Sequence, residues 1–236
     1  MHDMEFHPDK CKVLRITAKT KPIVTKYELH NEKLKCVDEA KYLGVIIHKK
    51  LSWKPHVHSI CKKARQIISF LQRNLKNCEK NLKEKAYKIY VQPILNYASC
   101  VWNPVGYGNK GLEDEIGMIE RRGARFVYGD WRRLSSPTLM ISDLAWISLK
   151  HQRKIKSLIM MMKIINKQIA IPTSILPKRS RSCDIRFQKK YGRVNVYLNS
   201  FVPITIDWWN KLPSHLVNLI DIEKFRKDLH SLYIDY

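Results

Sequence analysis

Between His56 and Leu75 the apolar residues Ile60, Ala64, Ile67, Ile68, Leu71 and Leu75 recur at three- and four-residue spacing. That repeat is the signature of an amphipathic helix, which must bury one stripe against something else. Its opposite face carries Lys62, Arg65, Arg73 and Lys76. Six further helical stretches follow. Glu79 to Ser99 reads as a second helix, with Pro93 set to kink or split it. Leu112 to Val127 reads as a third, with Ile116, Ile119, Ala124 and Val127 inward. Ser136-Pro137 is an N-cap and first-turn pair for a short helix to about Leu144, and Ser148 caps a long one from Leu149 to about Asn166. Met160, Met161 and Met162 in that helix read as core filling. Ser200 to Leu212 and Asp221 to Tyr233 read as closing helices, and Ile171 to Arg193 as a loop.

The first fifty residues follow a different period. Lys12 to Ile16, Ile23 to Leu29 and, more loosely, Tyr42 to His48 alternate as strands do, with turns at His30-Asn31-Glu32 and Lys49-Lys50. The expected fold class is therefore α+β, mainly α: a small N-terminal antiparallel β meander followed by a multi-helix body. The expected division is 1–53 for the meander, 54–105 for the first helices and 106–236 for a helical extension.

Charge narrows the choice of partners. Lys and Arg number 44 against 21 Asp and Glu, a net charge of +23. The excess is concentrated. From Ile47 to Tyr90 there are 12 basic residues and two acids, and from Lys150 to Arg193 there are 13 and one. Such a chain repels itself, and a phosphate backbone relieves the repulsion. Hydrophobic residues make up 44%, enough for a core. The apolar run Leu158 to Met162 is far short of the roughly 20 residues a membrane span needs, and no apolar leader opens the chain. The expected location is intracellular, nuclear or cytoplasmic, and not secreted.

Enzymatic signatures are scarce. No nucleophile elbow, P-loop or H-E-x-x-H occurs, and no Asp-Asp pair. The six cysteines, at 11, 36, 61, 78, 100 and 183, form no CxxC. His56, His58 and Cys61 make an HxHxxC cluster, which reads more simply as polar residues facing water at a helix start than as a metal site. The acidic run Glu113-Asp114-Glu115 is explained by its place in the first turn of a helix.

Several short motifs then fall into an order. Phe6-His7-Pro8-Asp9-Lys10-Cys11 precedes a strand. Tyr42-Leu43-Gly44-Val45, Leu51-Ser52-Trp53 and His56 follow, then Phe70-Leu71 and Asn74-Leu75. Downstream stand Pro93-Ile94-Leu95, Tyr97-Ala98-Ser99, Val101-Trp102 and Pro104, then Ile119-Glu120, Arg122, Ala124 to Val127 and Leu144-Ala145-Trp146. Ser200-Phe201, Pro203, Trp209-Asn210 and Leu212-Pro213 close the series. In that order the chain resembles, over essentially its whole length, the C-terminal part of a reverse transcriptase from a non-LTR retrotransposon of the jockey-like LINE class. No single motif is strong; the specificity lies in order and spacing. His7 stands where Asn is more usual, and Gly123 is a poor helix former within a helix.

The resemblance implies roles. The Lys10-Cys11 strand corresponds to the end of the palm. Tyr42, Leu43 and Gly44 resemble the primer-grip hairpin, and the helices from His56 to Ser99 the thumb. Lys49, Lys50, Lys62, Lys63, Arg65, Arg73 and Lys76 would contact phosphates of an RNA–DNA or DNA duplex in a salt-dependent manner. The family's catalytic aspartates would lie before Met1, so the chain is expected to be inactive alone. It is expected to need no cofactor, since Mg would belong to the missing carboxylates. The alternative is a decayed or domesticated remnant acting, if at all, through protein contacts, with Trp208, Trp209, Tyr233 and Tyr236 as the interaction surface, although these aromatics read more simply as core residues. The apolar N-terminal strand residues Val13, Leu14, Ile16, Val45 and Ile47 lack the palm they would pack on, so this region is expected to be the least stable.

Overall fold

The structure is a computed structural model describing residues 7–17, 19, 21, 23–106, 108–172, 175–180, 183–189 and 191–234. Phe6, Arg181 and Tyr236 lie outside the described residues. The chain forms two compact units, Met1–Ser59 and Ile60–Tyr236.

The first unit holds three two-stranded ladders. β1 (Lys12–Leu14) pairs with β4 (Lys35–Val37) in parallel, Lys12 facing Lys35. β2 (Glu28–Leu29) and β3 (Glu32–Lys33) form a hairpin. Its turn residues His30 and Asn31 have φ of 51° and 64°, as a tight type I′ connection requires. β5 (Glu39–Tyr42) and β6 (Val45–His48) form a second hairpin turning at Leu43-Gly44, with φ of 44° and 86°. The expected strand Tyr42 to His48 is thus the end of one strand, a turn and the next. The stretch expected as a strand over 23–29 pairs only at Glu28–Leu29, and Ile23 and Val24 ahead of it are exposed. After Lys49-Lys50 comes no strand but α1 (Lys54–Asn74).

Among the described residues the second unit is helical apart from one hairpin. The stretch expected as one proline-broken helix is three: α2 (Lys80–Tyr90), α3 (Gln92–Asn96) and α4 (Ser99–Trp102). Pro93 sits in the first turn of α3, where its missing N–H costs nothing, and Ala98 turns the chain with φ of 49°. α5 (Lys110–Tyr128) ends on Gly129 in the left-handed region. α6 (Pro137–Asp143) is capped by Ser136 accepting from Leu139 N, and α7 (Leu149–Ile165) by Ser148 accepting from His151 N. Both caps are where the residue pattern puts them.

The expected loop 171–193 contains a hairpin, β7 (Arg179–Ser180) with β8 (Cys183–Phe187). Its strands are short, and side-chain alternation gives little sign of them. It is held to the next helices by Asn210, whose side chain accepts from Phe187 N and donates to Phe187 O. α8 (Asn195–Leu198), α9 (Phe201–Asn210), α10 (Ser214–Val217) and α11 (Ile222–Ile234) complete the chain.

α7 is the axis of this unit. Its Ile155, Leu158, Met161 and Met162 are buried among Phe187, Ile206, Trp209, Leu212, Leu216, Phe225 and Leu229. The architecture is α+β and mainly α, strands first and helices after. Among the described residues no helix is long and apolar enough to cross a membrane.

Candidate nucleic-acid interface

α1 buries Ala64, Ile68 and Leu71 and leaves Lys62, Lys63 and Arg73 exposed, as is Lys76 in the turn that follows the helix. None of these four cations has an ion-pair partner among the described residues. Arg65 differs, because its guanidinium pairs at 3.0 Å with Glu115 of α5, which is largely buried. It holds α1 to α5 and is not open to a phosphate on all sides. In the first unit Lys49 pairs at 2.8 Å with Asp38, and its N–H donates to the Asp38 carbonyl. That contact extends the β5–β6 ladder by one step. Lys50 is exposed. Tyr42 and Leu43, with Gly44, form the tip of the same hairpin, Tyr42 and Leu43 being 66% and 73% exposed. Tyr42 is therefore no core residue.

The structure adds residues that the sequence pattern does not single out. A cleft of about 610 Å³ lies beside the C-terminal half of α1, lined by Arg73, Lys76, Lys83, Phe126 and Trp131. Lys83 is 9% exposed and has no ion pair among the described residues. A second cleft of about 440 Å³ is lined by Arg65, Arg121, Arg122, Arg125 and Trp131. Trp131 lines both, and among the described residues no acidic side chain lines either. The Arg122 guanidinium lies 5.6 Å from the Trp131 ring centre and reaches Ser69 Oγ at 3.3 Å. The two clefts meet at Trp131, which sets cations beside an aromatic plate, a combination that proteins binding single-stranded polynucleotide use.

The loop presenting Trp131 is tied down by side-chain hydrogen bonds. Arg125 donates to the carbonyl oxygens of Arg132 and Ser135, each at 2.9 Å. The Asp130 carboxylate accepts from Arg132 and from Ser135 Oγ. Those bonds hold the Asp130 carboxyl well below the ordinary carboxylate range. A loop tied in this way needs little ordering when a ligand arrives. The available signal in the sequence is Trp131-Arg132-Arg133, an aromatic followed by two arginines in a loop.

Other candidates resolve differently. His56 and Cys61 do not face water; they are 2% and 0% exposed. His56 Nδ1 accepts from Ile46 N, so the ring is neutral, and burial lowers its pKa. Burial pushes the Cys61 thiol up to about 12. Among the described residues no three His, Cys, Asp or Glu side chains group to hold a metal. Of the acidic run, Glu113 pairs with Lys150 of α7 at 3.3 Å and Glu115 with Arg65, so two of the three link helices. Gly106, Gly108 and Gly111 have the spacing of a dinucleotide fingerprint, but they follow α4 and not a strand, so the βαβ context is missing. Trp208, Trp209 and Tyr233, expected as a docking surface in the remnant reading, belong to the core around α7.

No family model, no curated protein and no solved structure matches the chain.

Proposed function

We propose that the chain is a nucleic-acid-binding thumb and helical-extension fragment of an RNA-directed DNA polymerase from a non-LTR retrotransposon, inactive by itself. The observation that carries the binding part is the acid-free groove around Trp131, where Arg73, Lys76 and Lys83 meet Arg121 and Arg122. Cations at a groove track phosphates without reading sequence, and an exposed indole stacks on any base. The order of short motifs along the chain supports the assignment to this kind of polymerase. Lys62 and Lys63 extend the same cationic character along α1. The hairpin tip at Tyr42, Leu43 and Gly44 takes the part of a primer grip. The partner is an RNA–DNA or DNA duplex, with the Trp131 groove taking an unpaired stretch beside it.

The test is the affinity of the purified chain for a primer–template duplex with a single-stranded overhang. Trp131→Ala weakens binding by about tenfold, the loss of one stacked base. Arg73→Ala with Lys76→Ala weakens it further and lowers its salt dependence. Unchanged affinity in both variants removes the groove as the interface. Primer extension by the pure chain with magnesium and deoxynucleotides contradicts the inactive assignment.

A further inference from the structure

A cavity of about 800 Å³ opens in the second unit between α3, α4, α7 and α11, sharing no lining residue with the Trp131 clefts. Its volume is that of a site for a drug-sized molecule. Apolar walls come from Ile147, Ile155 and Ile159. Three side-chain amides, of Gln92, Asn96 and Gln152, also line it. Asn96 is 6% exposed; its Nδ2 donates to Gln152 Oε1 at 2.7 Å, while its buried Oδ1 has no partner among the described residues. Ser99, 1% exposed, likewise lines the cavity with an unpartnered Oγ. Both orphan atoms lie just behind the cavity wall with almost no exposed surface of their own, and buried polar atoms are nearly always satisfied, so they ask for a partner.

The charge of the cavity has one sign. Lys88, Lys156, Lys163 and Arg226 line it and no Asp or Glu does. Lys88 and Arg226 are paired with Glu84 and Glu223 on their own helices. Lys156 reaches only the Asn96 carbonyl, at 3.4 Å, and Lys163 has no ion pair among the described residues. Two lining alanines, Ala98 and Ala145, have φ of 49° and 47°. Left-handed backbone at a non-glycine residue is strained, and such residues gather at ligand sites.

We propose that this cavity binds a nucleoside phosphate. The heterocycle lies between the apolar walls, a small side-chain shift brings Asn96 Oδ1 and Ser99 Oγ to accept from its amino edge, and the phosphate meets Lys156 and Lys163. An alkyl anion would leave both orphan oxygens unpaired, and a neutral heterocycle would leave both ammonium groups without a counter-charge. The nucleoside phosphate is either a free mononucleotide or the unpaired end of a bound strand. Only the second source rests on the function proposed above.

The test is titration of the full chain with AMP, followed by NMR shifts or calorimetry, alongside decanoate as an apolar anion. AMP saturates at about 1 mM or below, and decanoate does not compete with it. Lys156→Glu, at an exposed position, and Asn96→Leu each weaken AMP by at least about tenfold. Thermal unfolding of both variants checks that they fold. A strand source gives a different pattern: AMP fails, but a photoreactive unpaired terminal nucleotide cross-links to α3 or α7. The proposal is overturned if neither ligand engages the cavity, if folded Lys156→Glu binds AMP as well as the parent chain, or if decanoate displaces AMP. Saturation by AMP in a chain that binds no duplex would sink the polymerase reading and leave this site standing.

Discussion

A Cβ on Gly123 would stand 2.2 Å from Tyr87 Cε2, so α5 meets α2 at a point where only glycine fits. The poor helix propensity of this residue is outweighed by that close approach. In an open helix Gly→Ala stabilises by about 0.5–1 kcal/mol; here Gly123→Ala destabilises by about 1–3 kcal/mol through overpacking. Urea unfolding reads the sign directly. Tyr87 itself is fully buried, stacked on Trp146 with ring centres 4.6 Å apart, and its hydroxyl has no partner among the described residues. Burial pushes its pKa far up. Tyr87→Phe keeps the stack and removes a desolvated hydroxyl. It is expected to be neutral or to raise stability by up to about 1 kcal/mol, and a larger drop in stability contradicts this packing. A similar logic applies to buried Arg153, whose pKa burial lowers to about 10 while its Nε donates to Asn103 Oδ1.

At the scale of elements, what the sequence makes legible is what is local. Apolar period and caps place α1, α5, α6 and α7, because a helix satisfies its hydrogen bonds within a few residues. The ladders are harder. β1 pairs with a strand more than twenty residues away, and β7–β8 depends on Asn210 from a later helix. The candidate interface is half visible. The cations of α1 are readable from the helical period. Lys83, Arg121, Arg122 and Trp131 are not, because they come together only when α1, α2, α5 and the following loop pack. The pairing of Arg65 with Glu115 is invisible for the same reason. The hairpin's attachment is testable by pH. Asp207 of α9 pairs with Lys189 at 2.6 Å and with Lys211 at 2.7 Å. These pairings lower its pKa from the ordinary 3.8. A carboxyl lowered by folding adds stability above its unfolded pKa and loses it as pH falls through the folded one. Asp207→Asn therefore melts below the parent chain at pH 7, and the gap closes as pH falls below 3.8. A gap that stays constant into acid excludes this contribution.

At the scale of the molecule, the two units differ in what they bury. The second encloses a continuous core around α7. The first consists of two- to four-residue strands in separate pairs, and Ile16, Ile23, Val24 and Tyr27 are all more than half exposed. Isolated two-stranded ladders are marginal in water. Amide exchange over 12–48 is therefore expected to be far faster than over Leu149–Ile165. Equal protection would mean that the ladders carry stability of their own.

The central claim is that the positive charge is a grip on phosphates. Its most direct measurement is the equilibrium constant for an RNA–DNA duplex as a function of salt, for the parent chain and for a variant with Lys62, Lys63, Arg73 and Lys76 changed to Ala. The account predicts that log K falls linearly with log salt, and that the variant's slope is shallower by about 0.9 for each phosphate it no longer neutralises. Binding that ignores salt, a slope unchanged in the variant, or no binding at low salt by a folded chain would contradict it.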